Sequence, residues 1–369
     1  MKNIVCMVLV IIGFATGVVF AYAKTTPVAV GTASSITTPK TTTKKPIKKP
    51  VQKFEKLVYY TPGESSFASL QMHGQYIGIF APQVYNVDET GKLSGKISEK
   101  AWVEINKNKT PVMPLVFQKG FSADIMNTIL HDDNVQNLII EKLIAEAKTN
   151  NYIGWQFDFE KIHSSNRDAY SSFVEKTAQR FHGENLKLSV AVITRVTENA
   201  ADLPAGSWDY WAGVFDYKRI GAAADFVTIM TYDDPYSIGP VARLSWVKQV
   251  VTHMKKFIPA SKISLGIPTY GWVWDMDTNT RIKSVPYDKY LQLVVNKKFN
   301  KKGYDKKLET NWITYTEPDA QGIMRHYKLW YEDKQSFTLK YNYAKSQKLR
   351  GVSIWVMGME DDNIWKQMK

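Results

Sequence analysis

The residues best suited to chemistry lie in residues 152–160, on one face of a predicted β-strand. Side chains alternate between two faces along a strand. Gln156, Asp158 and Glu160 therefore share one face, and the opposite face is apolar, with Ile153, Trp155, Phe157 and Phe159. Polar groups in an otherwise buried strand cost free energy unless they are hydrogen-bonded or serve a function. The pattern predicts a catalytic acid at the end of this strand.

Asp158 and Glu160 are two residues apart, so their side chains stand side by side, roughly 6–7 Å apart along the strand. Two like charges this close cannot both ionise easily, and one pKa is raised. Glu160 is the natural proton donor and Asp158 the orienting group. The alternative is a structural ion pair or a pair of metal ligands. A metal is disfavoured because no histidine has ligand spacing near these acids, and His163 alone is expected to be a loop residue. The sequence predicts no metal and no cofactor.

Short apolar segments alternate with amphipathic helical segments from residue 54 onward, which is typical of βα units and a parallel sheet. Eight such segments over about 300 residues match the size of a (β/α)8 TIM barrel. Carboxyl ends of barrel strands meet at one face, so Glu160 is expected at the mouth of the barrel. The predicted strands are residues 56–61, 76–82, 112–117, 152–160, 187–193, 226–232, 262–267 and 352–356.

Helical spacing predicts a helix over residues 134–147 and another over residues 165–181, which begins with a capping-box-like pattern and stops at Gly183. Residues 275–331 are too long for an ordinary βα loop. A helix is expected there at residues 286–294, and a hairpin pairs residues 312–316 with residues 325–331. We therefore expect a small α+β insertion between strands 7 and 8, forming one wall of a cleft.

The amino-terminal residues differ from the rest of the chain. Residues 1–23 have the pattern of a cleaved secretion signal, and an uncleaved membrane anchor is the alternative. Cys6, the single cysteine, lies there, so the mature chain would contain no thiol. Residues 24–53 are rich in Lys, Thr and Pro and predict a disordered spacer that binds anionic wall polymers weakly. We expect a secreted or envelope-associated bacterial monomer, with residues 54–369 as its folded domain and no nucleic acid as a partner.

Four motifs at predicted strand ends resemble family 18 glycoside hydrolases, the chitinases and their relatives. Gly154, Asp158 and Glu160 resemble the strand-four signature of that family. Residues 230–233 resemble its strand-six motif, and residues 351–355 its strand-eight end. Residues 266–271 and 330–333 look closest to the bacterial branch of cell-wall and spore-germination enzymes. The chain departs from the pattern at two motif positions, which hold Ile153 and Gln156. Gln156 is expected to hydrogen-bond Asp158 without carrying a charge.

The resemblance implies a retaining, substrate-assisted mechanism. Glu160 would be the general acid/base, Asp158 would stabilise the oxazolinium cation, and Tyr232 would hold the acetamido oxygen. Packing roles stay open for Tyr232, Trp355 and the aromatic residues after strand 7, and Asp233 could instead cap a loop. The candidate substrate-binding residues are Gln156, Met230, Asp233, Tyr270, Trp272 and Trp355.

The leading hypothesis is a glycoside hydrolase that cuts β-1,4 bonds beside N-acetylglucosamine in peptidoglycan or a chitin-like polysaccharide. The alternative is a non-catalytic, lectin-like wall protein that binds amino sugars. Glu160 favours the enzyme, because binding proteins of this kind usually lose that acid. A third hypothesis is a structural wall protein in which the linker is the functional part.

Overall fold

The computed structural model describes residues 53–368. Eight parallel strands close into a barrel, because β1 pairs with both β2 and β14. This confirms the predicted (β/α)8 fold. The barrel strands are β1 (Glu55–Tyr60), β2 (Ile79–Val87), β4 (Leu115–Gln118), β5 (Gly154–Phe157), β6 (Lys187–Ile193), β7 (Phe226–Met230), β8 (Ile263–Pro268) and β14 (Gly351–Trp355), and a short antiparallel strand, β3 (Leu93–Ser94), extends β2.

Helices cover the outer face of the barrel, where they bury the apolar side of each strand. On β5, Trp155 and Phe157 face this layer, and the Trp155 indole donates to the Leu143 carbonyl at 2.9 Å. The helices are α1 (Glu64–His73), α2 (Glu99–Asn108), α3 (Ala123–His131), α4 (Asp133–Asn150), α5 (Arg167–Gly183), α6 (Tyr217–Ala223), α7 (Leu244–Met254), α8 (Tyr287–Val295) and α9 (Lys334–Ser346).

The insertion between β8 and β14 is a five-stranded sheet with α8 packed against it. The predicted hairpin is present, with Trp312 opposite Trp330. The sheet already begins at Gly271, earlier than the predicted residue 275, because the strand after β8 pairs inside the insertion. Its strands are β9 (Gly271–Asp275), β10 (Thr280–Val285), β11 (Lys301–Asp305), β12 (Thr310–Pro318) and β13 (Met324–Tyr331).

Several predicted boundaries differ from the structure. The second strand was expected at residues 76–82 but spans Ile79–Val87, because Gly74–Tyr76 forms a 3-10 turn. The capping box predicted at the start of α5 does not form. Instead, the ring of His163 accepts the Ser165 N–H at 3.2 Å and caps a 3-10 turn that precedes the helix. This places His163 in a loop, as the sequence predicts.

The predicted signal sequence and linker, apart from residue 53, lie outside the described residues. Within residues 53–368, no helix is both long enough and apolar enough to cross a membrane.

Gly154 opens β5, and we expect it to be intolerant of a side chain. Its φ is +148°, and a Cβ there would lie 1.9 Å from the Lys187 carbonyl oxygen of β6. Gly154→Ala should lower the free energy of unfolding by about 2 kcal/mol or more. Gly183→Ala, with nothing within 4 Å of its Cβ, is the control and should change it by about 1 kcal/mol or less. Thermal melting measures both, and equal melting temperatures would contradict the expectation.

Candidate active site

A cleft of about 1140 Å³ opens at the carboxyl ends of the barrel strands. One wall comes from the loops after β6 and β7, and another from β9 and β10 of the insertion. The cleft brings together most of the residues that the sequence predicts for the site. Those that line it are Asp158, Glu160, Met230, Tyr232, Asp233, Trp272 and Trp355.

Asp158 lies just beyond β5, where its N–H still donates to the Val116 carbonyl at 3.0 Å. Its side chain is 4% exposed, and Gln83 of β2 donates to its carboxyl at 3.1 Å. Burial raises the pKa of Asp158 because the charged form loses its hydration, and the Gln83 hydrogen bond opposes this effect.

Glu160 is held by its backbone. The buried Gln118, at the end of β4, accepts from the Glu160 N–H at 3.4 Å and donates to the Glu160 carbonyl. Within residues 53–368, no side chain hydrogen-bonds the Glu160 carboxyl. Burial raises its pKa, and the neighbouring charges of Asp158 and Asp233 raise it further. The geometry therefore favours a protonated Glu160 that is free to donate to a bound molecule.

Tyr232 and Asp233 follow β7 and turn into the cleft. Burial keeps the pKa of Tyr232 well above its ordinary value, so its hydroxyl remains a proton donor. Asp233 has a left-handed backbone with φ 54°, and the Tyr270 hydroxyl donates to its carboxylate at 2.7 Å. Tyr270 itself does not line the cleft. The structure therefore places Tyr270 where it orients Asp233, and the prediction that Tyr270 binds substrate stays a prediction.

Gln156 lies inside the barrel, below the residues that line the cleft. It is fully buried, does not line the cleft, and makes no hydrogen bond to Asp158 within the described chain. Its amide oxygen accepts the Tyr59 hydroxyl at 2.7 Å, and its NH2 donates to Ser189 at 2.8 Å and Thr228 at 3.0 Å. The expected Gln156–Asp158 bond is therefore wrong, while the role of Gln156 in substrate binding stays a prediction for a residue that lies below the cleft. The side chain instead ties together the interior of the barrel.

Tryptophan rings form the apolar surfaces of the cleft. Trp355, at the end of β14, packs edge-on against Tyr59 with ring centres 5.2 Å apart. Trp272 is almost fully buried beneath the guanidinium of Arg281, which lies 4.2 Å above its ring. Trp274 also lines the cleft and donates from its indole to the Gly239 carbonyl at 2.8 Å.

Among the described residues, one group has a spacing that could suit a metal ion: His73, Glu360 and Asp362. It does not line the cleft. Both oxygens of Glu360 already accept hydrogen bonds, from Ser69, the Trp365 indole and the Met359 N–H. These hydrogen bonds give the Glu360 carboxylate a structural role.

The model of Glycosyl hydrolases family 18 matches residues 12–360. The chain belongs to family 18 of the glycosyl hydrolases. It is a glycosidase, and its relatives include enzymes named for glycan cleavage.

Two curated relatives from Bacillus subtilis are similar to this family 18 chain. One is named Uncharacterized glycosylase YvbX, is 26% identical over 322 residues, and is matched over 85% of this chain and 90% of the relative. The other is a Cortical fragment-lytic enzyme, 27% identical over 299 residues, with 79% and 66% covered.

Solved structures show the same barrel. The Bacillus cereus spore cortex-lytic enzyme SleL superposes with a TM-score of 0.74 at 25% identity, covering 85% of this chain and 73% of that chain. A chitinase from Chromobacterium violaceum gives a TM-score of 0.73 at 25% identity, covering 86% and 98%.

Sequence reasoning missed Gln83 and Gln118, the two amides that fix the acids of this family 18 site. Gln118 lies on β4, which pairs with β5, and Gln83 lies on β2, the strand beyond β4, so both are far from the acids along the chain. A polar side chain within an otherwise apolar strand was the available signal.

We expect Asp233→Asn to shift the alkaline limb of the pH–rate profile to lower pH. The Asp233 charge helps to raise the pKa of Glu160, so its removal should let Glu160 lose its proton earlier as the pH rises. The shift is measured from initial rates on an N-acetylglucosamine oligomer across about six pH units, from roughly pH 4 to pH 10. Asp124→Asn, on an exposed turn of α3, is the matched control. An unchanged alkaline limb would show that Asp233 does not influence the acid.

Proposed function

We propose that this protein is an exported, retaining glycosidase that cleaves β-1,4 bonds next to N-acetylglucosamine in peptidoglycan or a chitin-like polymer. One observation carries the proposal. Glu160, a carboxyl with a raised pKa and no hydrogen-bond partner within residues 53–368, lines a long open cleft directly after the buried Asp158. A carboxylic acid that keeps its proton near neutral pH can protonate a departing glycosidic oxygen.

The proposed mechanism uses the acetamido group of the substrate as the nucleophile. Its oxygen attacks the anomeric carbon while Glu160 protonates the leaving oxygen. Asp158 accepts a hydrogen bond from the acetamido N–H and stabilises the oxazolinium cation by its charge. The Tyr232 hydroxyl holds the acetamido oxygen in line for attack. Glu160 then acts as the base toward water, and the configuration at the anomeric carbon is retained.

Asp158 must carry a negative charge when the oxazolinium forms, although burial raises its pKa. The Gln83 hydrogen bond favours this charged form, because an amide N–H binds a carboxylate more strongly than a neutral acid. The positive charge that develops on the substrate would favour it further. Gln83 is thus the residue that reconciles a buried Asp158 with its proposed role.

Support for the polymer comes from the relatives, which are named for spore cortex lysis or for chitin cleavage. Support for export comes from the signal-like residues 1–23. The lysine-rich linker would act as a spacer with weak affinity for anionic wall polymers, and the protein would act as a monomer.

The central test is Glu160→Gln. Loss of the proton donor should lower kcat by about 100- to 10,000-fold, while oligosaccharide binding and the melting temperature stay near those of the wild type. Glu99→Gln, on an exposed turn of α2, is the matched control and should keep full activity. Mass spectrometry of new reducing ends from peptidoglycan and chitin oligomers identifies the bond that is cut.

Equal kcat values for Glu160→Gln and the wild type would refute the assignment of the acid. A wild-type protein that binds both oligomers and releases no new reducing end would instead favour the lectin-like alternative.

A further inference from the structure

Strand β10 forms an exposed wall of the cleft and carries two cationic side chains, Arg281 and Lys283. It is the edge strand of the five-stranded sheet, so one side of it faces the cleft without a neighbouring strand. Within residues 53–368, neither cation forms an ion pair with a carboxylate. Two unpaired positive charges beside a binding cleft are available to an anionic group on a ligand.

Arg281 is held in a defined orientation. Its guanidinium lies 4.2 Å above the Trp272 ring, which is itself buried. This cation–π contact restricts the guanidinium, and within residues 53–368 its N–H groups have no hydrogen-bond acceptor. A planar fork of N–H donors matches the two oxygens of a carboxylate. The stacked Arg281 is therefore preorganised to bind such a group.

Within residues 53–368, neither cation forms an ion pair with the acids of the cleft. Arg281 lowers the pKa of Asp233 through its charge, but the carboxylate of Asp233 takes its hydrogen bond from Tyr270. When ionised, Asp158 and Asp233 make the floor of the cleft negative, and they would repel an anionic ligand that had no cation to meet it. Arg281 and Lys283 supply that cation on the wall.

The two candidate polymers differ in charge. A chitin-type strand is neutral, whereas the alternate sugar of a peptidoglycan strand bears a lactyl carboxylate wherever its peptide has been removed. We propose that Arg281 and Lys283 bind this carboxylate and make an acidic, peptidoglycan-type glycan the preferred substrate. The inference rests on the proposed function, because it assigns a substrate class to the same cleft.

The test compares three oligomers of equal length: a peptide-free peptidoglycan glycan, its methyl ester, and an N-acetylglucosamine oligomer. In the Arg281→Gln/Lys283→Gln double variant, KM for the acidic glycan should rise roughly tenfold, since each exposed charge pair contributes up to about fivefold. KM for the two neutral oligomers should stay within about twofold, and any change in kcat caused by the effect of Arg281 on Asp233 should be the same for all three oligomers. Added salt should weaken wild-type binding of the acidic glycan alone.

Lys301→Gln/Lys302→Gln is the matched control. It removes the same number of charges from the same sheet, at exposed positions on β11 outside the cleft. The control should keep the wild-type preference for the acidic glycan over its ester.

Two results would overturn the inference: an unchanged KM for the acidic glycan in the cleft variant, or an equal rise for the acid and the ester. Dissociation constants measured on the Glu160→Gln background separate this question from turnover. A preference for the acid that depends on Arg281 and Lys283 would support the inference even if no glycan were cut, and a lack of cleavage would count against the proposed function alone.

Discussion

Loss of water around two neighbouring carboxyls is the constraint on which the rest of the site depends. Asp158 is almost fully buried and receives one side-chain hydrogen bond, while the carboxyl of Glu160 receives none from the described residues. Two ionised carboxylates in such surroundings would be costly, and one shared proton removes most of that cost. Burial therefore keeps a proton on Glu160, where a leaving group in the cleft could accept it. Gln118 fixes the position of Glu160, because it hydrogen-bonds the Glu160 backbone and leaves the carboxyl unbonded.

Gln156 shows how the layer below the acids can be polar without adding charge. Its amide uses one acceptor and two donors on Tyr59, Ser189 and Thr228. Hydrogen bonds then continue from Thr228 through Ser353 to Ser264 across the interior of the barrel. A carboxylate here could accept but not donate, and it would add a buried negative charge under Asp158. Because the amide is neutral, it does not add a charge that would shift the pKa of Asp158 or Glu160.

Periodicity predicts much of this structure because it reports which face of a strand is buried. It assigned the acids and the pair Trp155 and Phe157 to opposite faces of the strand, and it gave the order of the barrel strands. Periodicity could not predict hydrogen bonds between residues that are distant along the chain. The bond between Gln83 and Asp158 joins residues 75 apart, and Tyr270, after β8, reaches Asp233, after the neighbouring β7, 37 residues away. The start of the insertion was also missed, because only Thr269 and Tyr270 separate β8 from β9.

The insertion and the barrel floor divide two tasks that one cleft must perform. The acids that would carry out bond cleavage lie on barrel strand ends, whereas Arg281 and Lys283 lie on an added sheet. Hydrogen bonds between these parts include those from Tyr270, which directly precedes β9, to Asp233 and from Trp274 to the Gly239 carbonyl in the loop after β7. Because the Asp233 charge contributes to the raised pKa of Glu160, a shift of the insertion would reach the acid through Tyr270. The wall formed by the insertion is therefore electrostatically coupled to Glu160.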